Sequence, residues 1–242
     1  MRILTILQAR MTSTRLPGKV MAPILGQPMM ARQIERLRRA RRIGDLVVAT
    51  SNEPGDDVVA DCAERLGCLA FRGSLGDVLA RYAGALARHG PADHVVRVTA
   101  DCPLTDWRVI DQVIVRHLAT GADYTSNTVE RTYPKGLDVE VVRAPLLLDA
   151  AAEATDPYER EHVTPFFYFR PERFRIVQVT QDEDQNRWRW TVDTPADFAF
   201  ARSVYETLYP VRPDFLSEDV RACPGAERTD PDDPGVTLAE SP

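Results

Sequence analysis

The 242-residue sequence contains very little lysine: only Lys19 and Lys135, against 28 arginines, contribute to its 30 basic residues. It also lacks a positive net charge, since 36 acidic residues leave a formal charge of −6 at pH 7. Non-specific nucleic-acid binding needs a basic surface, so this balance argues against a nucleic-acid partner. The scarcity of lysine draws attention to the two positions where it does occur.

Long apolar runs are missing as well. No segment approaches the roughly 18 apolar residues that a membrane-spanning helix needs, and the N-terminus shows no signal-peptide pattern. The four cysteines, Cys62, Cys68, Cys102 and Cys223, form no CxxC pair. This spacing favours neither a disulfide framework nor a zinc site. We therefore expect a cytoplasmic protein with no membrane partner.

The first half of the chain alternates short apolar runs with helical patterns. Strands are predicted over residues 2–8, 46–50, 68–72 and 94–99, and helices over residues 28–42, 56–66, 75–88 and 107–118. This alternation is typical of right-handed βαβ units. It predicts an α/β fold with a mainly parallel sheet and helices on both faces.

The second half has a different pattern. Strands are predicted over residues 124–126, 136–142, 174–179 and 188–192, the last two paired, and helices over residues 145–154, 157–169 and 195–208. We expect a small antiparallel annex, at about residues 130–180, within a single domain spanning residues 1–216. From residue 217 the composition turns to Pro, Asp, Gly, Ser and Glu. It predicts an acidic, disordered tail over residues 217–242.

A basic loop follows the first predicted strand at residues 8–19. It carries the fixed charges of Arg10, Arg15 and Lys19, with small hydroxyl residues and a Pro-Gly turn between them. Open α/β sheets bind ligands just outside the carboxyl ends of their strands, where this loop lies. Several cations and a curved run of backbone N–H groups suit a polyphosphate. The alternative is a solvated basic turn, since the loop matches neither the Walker nor the GxGxxG pattern.

Two aspartates, Asp101 and Asp193, each end a predicted strand at the same edge of the sheet. Thr194 can cap the helix that begins at Pro195, which leaves Asp193 for another task. A carboxylate at a strand end can hold a Mg²⁺ that bridges phosphate oxygens. Taken alone, Asp101 is better explained as a helix-capping or turn residue before Pro103. The two aspartates facing one basic loop predict a magnesium clamp.

Seven ordered motifs carry a resemblance to a known family: residues 8–19, 72–82, 99–104, 124–127, 136–140, 160–165 and 192–197. Over residues 3–208 the sequence resembles the cytidylyltransferases that activate sugar acids, namely the acylneuraminate and keto-deoxy-octulosonate cytidylyltransferases. It is most similar to their spore-coat-polysaccharide branch. The resemblance implies a nucleotide-diphospho-sugar-transferase-like fold of the GT-A or Rossmann-like type, and a homodimer.

The resemblance further implies CTP as the donor, Mg²⁺ as the cofactor and pyrophosphate as the by-product. Arg10, Arg15, Lys19 and Asp101 would be the catalytic residues, and Asp101 and Asp193 the magnesium ligands. The nucleotide-binding residues that it implies are Leu7, Ala9, Arg10, Arg15, Lys19, Thr50, Ser51, Arg72, Gly73, Ser74, Asp77 and Ala100. Among these, Thr50, Ser51 and residues 72–74 would line the base and the ribose.

An acceptor site is predicted in the annex. Its candidate residues are Lys135, Asp138, Glu140, Arg160, Glu161 and His162. Strand alternation places Asp138 and Glu140 on one face, where they could bind hydroxyl groups, while Lys135 and Arg160 could bind a carboxylate or phosphate. The alternative is a solvated strand face and a capped helix. The predicted reaction is CMP transfer from CTP to an anionic sugar acid or a small phosphorylated or phosphonate acceptor.

Two other functions fit part of the pattern. A GT-A-fold glycosyltransferase that consumes a nucleotide sugar usually carries an Asp-x-Asp motif, but the second residue after Asp101 is Pro103. A non-catalytic nucleotide-binding protein needs the basic loop but not both carboxylates. Release of pyrophosphate from CTP distinguishes the predicted transferase from either alternative.

Overall fold

The computed structural model describes residues 1–229. In chain order its strands are β1 (Ile3–Gln8), β2 (Pro23–Ile24), β3 (Gln27–Pro28), β4 (Asp45–Ser51), β5 (Leu69–Gly73), β6 (His94–Thr99), β7 (Tyr124–Ser126), β8 (Glu140–Arg143) and β9 (Ile176–Gln178). Seven strands form one sheet in the order β5-β4-β1-β6-β8-β7-β9, while β2 and β3 form a separate antiparallel pair. β5, β4, β1 and β6 run parallel, which confirms the predicted mainly parallel α/β sheet.

Helices cover both faces of the sheet, as predicted. They are α1 (Met29–Leu37), α2 (Asp57–Arg65), α3 (Val78–His89), α4 (Trp107–Thr120), α5 (Ala144–Glu153), α6 (Pro157–His162), α7 (Pro165–Tyr168), α8 (Pro195–Leu208) and α9 (Ser217–Arg221). Alternate residues of β1 enter two different cores: Leu4 and Ile6 pack on the side of α3, Ile3 and Leu7 on the side of α1 and α4. No helix within residues 1–229 combines the length and apolar character required to cross a membrane.

The loops after β1 and β6 begin side by side at one edge of the sheet. Ala9 N donates a hydrogen bond to Ala49 O (3.1 Å) of β4, and Ala100 N donates to Gln8 O (2.9 Å). Because β1, β4 and β6 are parallel, their carboxyl ends share this edge. The basic loop and the segment around Asp101 therefore start as neighbours.

The second half departs from the predicted pairing. β8 is antiparallel to both β6 and β7, but β9 runs parallel to β7. The predicted strand at residues 188–192 is wrong: this segment makes only isolated bridges, Lys135 with Arg189 and Trp188 with Thr229. Its alternation reflects the burial of Trp190, which is 1% exposed and donates through Nε1 to Ala226 O (2.8 Å).

The predicted helix over residues 157–169 is two short helices, α6 and α7. Val163 ends α6 with φ +70°, outside the helical region. Pro165 then begins α7. Proline has no N–H to continue the hydrogen bonding of the preceding helix, so a break near this position follows from the sequence.

The predicted disorder from residue 217 is corrected over the part of the chain that the structure describes. Ser217–Arg221 forms α9, Val220 is fully buried and Ala226 is 2% exposed. Trp190 and Asp197 bond to this segment, which anchors it despite its polar composition. The rest of the predicted tail, residues 230–242, lies outside the described residues.

Candidate functional site

The loop after β1 is curved by backbone hydrogen bonds and held by one buried carboxylate. Gly18 has φ +75°, a left-handed conformation that favours glycine, and its N–H donates to Met11 O (2.9 Å). Asp56 accepts hydrogen bonds from Met11 N (2.6 Å) and from Ser51 N (3.1 Å) at the end of β4. Burial opposes ionisation of Asp56, but bonds from Ser51 and Met11 outweigh it and lower the carboxyl pKa. Asp56 thus ties the basic loop to the neighbouring strand.

A cleft of about 200 Å³ opens between this loop and the end of β6. It is lined by Gln8, Ala9, Arg10, Ser13, Thr14, Arg15, Lys19, Val20, Thr99, Ala100, Asp101 and Asp193. The structure therefore brings the three cations of the loop together with both aspartates. Within residues 1–229, Arg10 makes no hydrogen bond or ion pair, so its guanidinium is available to a ligand.

Lys19 joins the two aspartates. Its Nζ donates to Asp193 Oδ1 (2.7 Å) and to Val192 O (2.7 Å), and lies 3.6 Å from Asp101 Oδ2. The side chain is only 10% exposed, so water screens these contacts weakly. A compact ammonium can contact several oxygens at once, which explains lysine at this position of an arginine-rich chain.

Asp193 is surrounded by positive charge. Besides Lys19, its Oδ2 contacts Arg15 Nη2 (2.9 Å) and Arg189 Nη2 (2.8 Å). Burial opposes ionisation of this carboxyl. The Lys19 hydrogen bond and the charges of Lys19, Arg15 and Arg189 outweigh the effect of burial, so the pKa of Asp193 is lowered. Asp193 is therefore ionised at neutral pH and offers charged oxygen atoms to a cation.

The donor set of the cleft fits a hard divalent cation. Mg²⁺ is usually held by one or two carboxylates and completed by water and substrate phosphates. Asp101 and Asp193 both contact the ammonium of Lys19, so their carboxylates converge on one position. Within residues 1–229 no cluster of three or more His, Cys, Asp or Glu side chains is arranged to hold a metal. A metal in this cleft would take its other ligands from substrate or water.

A layer of charges behind Asp193 was not predicted from the sequence. Asp197, 2% exposed, accepts the backbone N–H groups of Asp193 and Thr194 (both 2.9 Å) and pairs with Arg189 and Arg228. Burial opposes ionisation of Asp197, but its bonds to Arg189, Asp193 and Arg228 lower its pKa. The Thr194-to-Asp197 spacing, a capping box, was the available sequence signal for Asp197.

The residues expected around the base and ribose lie at the ends of β4 and β5. None of these residues (Thr50, Ser51, Arg72, Gly73 and Ser74) lines the described cleft, and neither do the other predicted nucleotide-binding residues Leu7 and Asp77. Thr50 and Ser51 are fully buried, and Arg72 donates to Ser51 O (3.0 Å) and pairs with Asp57 (2.5 Å). In this structure Thr50, Ser51 and Arg72 stabilise the ends of β4 and β5 beside the basic loop.

Arg160 is occupied by protein groups. Its Nε and Nη2 donate to Asp77 Oδ2 (2.8 and 2.5 Å), and its Nη1 donates to the carbonyls of Ala151 (3.1 Å) and Ala154 (2.9 Å). Asp77 also caps α3 by accepting the N–H of Ala80 (2.9 Å). This pair connects α6 to α3 and leaves the Arg160 guanidinium little capacity for an acceptor anion.

The predicted strand face of the acceptor site is not formed. Asp138 precedes β8 and pairs with Arg131 (2.6 and 3.1 Å), whereas Glu140 is 4% exposed and bonded to Arg97 and Tyr124. Lys135 bonds through its backbone to residues 188, 190 and 191. Glu161 and His162 lie exposed at the end of α6. The six candidates therefore do not form one site.

Comparison with known proteins agrees with this geometry. The profile of the family described as cytidylyltransferase matches residues 4–215. Spore coat polysaccharide biosynthesis protein SpsF of Bacillus subtilis (strain 168) is 33% identical over 225 residues, 90% of this chain and 92% of that protein. A 3-deoxy-manno-octulosonate cytidylyltransferase of Xanthobacter autotrophicus is 31% identical over 198 residues, 74% of this chain and 75% of that protein.

The fold agrees as well. The solved structure of a cytidylyltransferase from Leptospira borgpetersenii serovar Hardjo-bovis superimposes with a TM-score of 0.86 at 31% identity, over 91% of this chain and 92% of that one. The profile match includes the basic loop and both aspartates of the cleft. The chain therefore belongs to the cytidylyltransferase family and is a nucleotidyltransferase.

Proposed function

We propose that the protein transfers CMP from CTP to an anionic sugar acid or a small phosphorylated or phosphonate acceptor, and releases pyrophosphate. One observation carries the proposal: Arg10, Arg15 and Lys19 face Asp101 and Asp193 across a single cleft at the carboxyl ends of β1 and β6. Two relatives, a spore coat polysaccharide biosynthesis protein and a 3-deoxy-manno-octulosonate cytidylyltransferase, support a sugar acid as acceptor.

The basic loop binds the triphosphate in this proposal. Arg15 is 58% exposed and presents a planar fork suited to phosphate oxygens. Arg10 contributes a guanidinium without a protein partner within residues 1–229. Lys19 adds a compact charge deeper in the cleft. Preorganised cations aimed at the phosphoryl oxygens stabilise the charge that develops there during transfer.

Asp101 and Asp193 would hold the magnesium ion. When bound, the ion supplies Lewis-acid stabilisation of phosphate oxygens. The chain's own contribution is a pair of carboxylates whose positions are fixed by Lys19, Arg15 and Arg189. Lys19 contacts both carboxylates and also lines the cleft, so the same ammonium can transfer its contact to a phosphate oxygen.

The transfer is an in-line displacement at the α-phosphorus of CTP. An acceptor oxygen forms a new bond to this phosphorus, the bond to the bridging oxygen breaks, and its electron pair leaves with pyrophosphate. An ionised carboxylate, phosphate or phosphonate oxygen attacks without losing a proton. A hydroxyl oxygen gives up its proton to solvent water during attack. Positioning and electrostatic stabilisation by the cleft supply most of the rate enhancement.

We also propose that the protein is a homodimer. Tyr158 and Phe169, at the ends of α6 and α7, are 49% and 58% exposed and stack with ring centroids 6.3 Å apart. We take these two neighbouring exposed rings as part of the contact surface between the subunits. Light scattering tests this: the wild type is expected at twice the chain mass, and a Tyr158→Ser/Phe169→Ser variant at the chain mass. A monomeric wild type contradicts it.

A nucleotide and acceptor screen tests the activity. Pyrophosphate release is measured with each of four ribonucleoside triphosphates, in the presence of Mg²⁺, 3-deoxy-manno-octulosonate, N-acetylneuraminate and small phosphorylated acids. We expect release with CTP and at least one anionic acceptor, and none when the acceptor or Mg²⁺ is omitted. Binding of CTP without release in any combination would instead indicate a nucleotide-binding protein without transferase activity.

A further inference from the structure

Arg97 places a charge in the centre of the main sheet. It lies on β6, in register with Ile6 of β1 on one side and with Glu140 of β8 on the other. Its neighbours along the strand, Val96 and Val98, are buried. A charge in such a position is costly unless it is paired, so its presence needs a physical reason.

The ion pair with Glu140 uses only one nitrogen atom of the Arg97 guanidinium. Arg97 Nη1 forms an ion pair with Glu140, whose other carboxylate oxygen accepts a hydrogen bond from Tyr124 Oη (2.5 Å). Glu140 is 4% exposed, so this is a buried ion pair. Compared with apolar residues of similar volume, buried ion pairs often add nothing to stability. Folding stability is therefore a weak explanation for Arg97.

The remaining donors of Arg97 are unused. Within residues 1–229, Nε is buried without a hydrogen-bond partner, as is Tyr82 Oη beside it, and Nη2 makes no hydrogen bond. Both side chains line a small cavity together with Thr164. Although it stands on a central strand, the Arg97 side chain is 18% exposed. Part of the Arg97 side chain is therefore open to solvent.

The guanidinium also lies close to the nucleotide cleft. Strand alternation places Arg97 and Thr99 on the same face, with Cα atoms about 7 Å apart, and Thr99 lines the cleft. Burial raises the pKa of Tyr82 to about 12, and both Arg97 and Asp101 lie near enough for their charges to act on it. An anion bound at Arg97 would thus lie beside the site of phosphoryl transfer.

We propose that Arg97 binds the anionic group of the acceptor, a carboxylate in a sugar acid, and that Glu140 orients it. The proposal rests on the proposed CMP transfer. It assigns to Arg97 the role that the sequence suggested for Arg160, whose donors are taken by Asp77 and two carbonyls. An arginine fork with free donors is a suitable partner for a carboxylate or phosphate.

The test removes the charge of Arg97 without leaving Glu140 unpaired. The variant Arg97→Gln/Glu140→Gln keeps two hydrogen-bonding side chains of similar size in the cluster. The control is Arg173→Gln/Glu153→Gln, which removes an exposed ion pair (2.5 and 2.8 Å) on α5 and the segment after α7. Thermal melting and CTP binding are measured for both variants, followed by acceptor kinetics.

Acceptor kinetics should separate the variants. We expect both variants to bind CTP with wild-type affinity. Only Arg97→Gln/Glu140→Gln should show a higher KM for the acceptor, by 10- to 100-fold, because a loss of about this size follows from removing one charge-assisted hydrogen bond. A sugar acid and its carboxamide are compared directly. The wild type should prefer the acid, and this variant should lose the preference. Small phosphorylated acids, assayed in parallel, show which anion the site takes.

Other outcomes overturn the proposal. If the wild type transfers CMP to a sugar acid and Arg97→Gln/Glu140→Gln keeps the KM and the preference for acid over amide, Arg97 does not bind the acceptor, while the proposed function stands. If the wild type transfers CMP only to uncharged acceptors, or to none, the anionic acceptor itself is wrong and the role of Arg97 falls with it.

Discussion

Lys19 Nζ lies 2.7 Å from Asp193 Oδ1, although the two residues are 174 positions apart in the chain. The contact joins the loop after the first strand to the segment before α8, and both residues line the cleft. Asp101 lies 3.6 Å from the same ammonium. The charge balance of the candidate site therefore depends on one lysine in a chain with only two.

Replacing Lys19 by Met should abolish most activity. The substitution keeps the apolar stem but removes the ammonium, so Asp193 loses one of its three cations and the triphosphate loses a donor. Loss of one such donor typically lowers kcat about 10²–10³-fold. The rate of pyrophosphate release from CTP measures this loss of kcat. Arg116→Met, which removes an exposed positive charge from α4, serves as the control and should leave kcat unchanged.

Asp197 should matter more for stability than Arg228. Asp197→Ala removes the buried carboxylate that Arg189 and Arg228 both contact and frees the N–H groups of Asp193 and Thr194, so we expect a loss of about 3–5 kcal/mol. Arg228→Gln still leaves Asp197 paired with Arg189, and the loss should be smaller. Urea unfolding gives the free energy of unfolding of each variant for comparison with the wild type. Equal losses would show that Arg228 alone stabilises this cluster.

The protein should lose stability as pH falls from about 6.5 to 4. His117 is fully buried between His94 (2.9 Å) and Thr125 (2.9 Å), and burial together with the nearby His94 lowers its pKa to about 4. Below pH 6.5 His117 takes up a proton in the unfolded state but not in the folded state. This difference lowers the free energy of unfolding by on the order of 2–3 kcal/mol by pH 4.

Thermal melting across this range checks the prediction. His117→Gln should flatten the pH dependence, whereas His162→Gln, at the exposed end of α6, should leave it unchanged. A wild-type slope that persists in His117→Gln would assign the acid sensitivity to other groups.

Gly136 should tolerate no side chain. It has φ +111°, and a Cβ would lie 2.6 Å from Thr191 N and 2.7 Å from Trp190 C. Gly136→Ala combines this clash with backbone strain, so we expect a loss of about 3–4 kcal/mol. Gly121→Ala is the matched control: φ is +62° but nothing lies within 4 Å, and the loss should be about 1–2 kcal/mol. Similar losses at both positions would contradict the close approach.

The parallel half of the fold and the cleft were predictable because their signals are local. Apolar runs alternate with amphipathic helices, and parallel strands bring their carboxyl ends to one edge, so Arg10, Lys19 and Asp101 were placed together from spacing alone. The break at Val163 was also present in the sequence, in the proline that follows it. That signal was outweighed by the apolar pattern of the segment.

The charged side chains that are open to an acceptor were not predictable in the same way, because long-range ion pairs decide which charges remain accessible to a ligand. Arg160 is paired with Asp77, 83 positions away, and Glu140 with Arg97, 43 positions away. Nothing in the local pattern reveals such partners. The packing of the segment after residue 217 depends in the same way on Trp190 and Asp197, which precede it in the chain.

Binding of Mn²⁺ in the presence of CTP, measured by electron paramagnetic resonance, tests the central claim most directly. Wild-type protein with CTP should bind the ion, and Asp101→Asn and Asp193→Asn should each weaken that binding at least tenfold. The exposed variant Asp214→Asn should bind it normally. Unchanged Mn²⁺ affinity in both Asp101→Asn and Asp193→Asn would contradict the claim that these aspartates and the basic loop form one metal–nucleotide site.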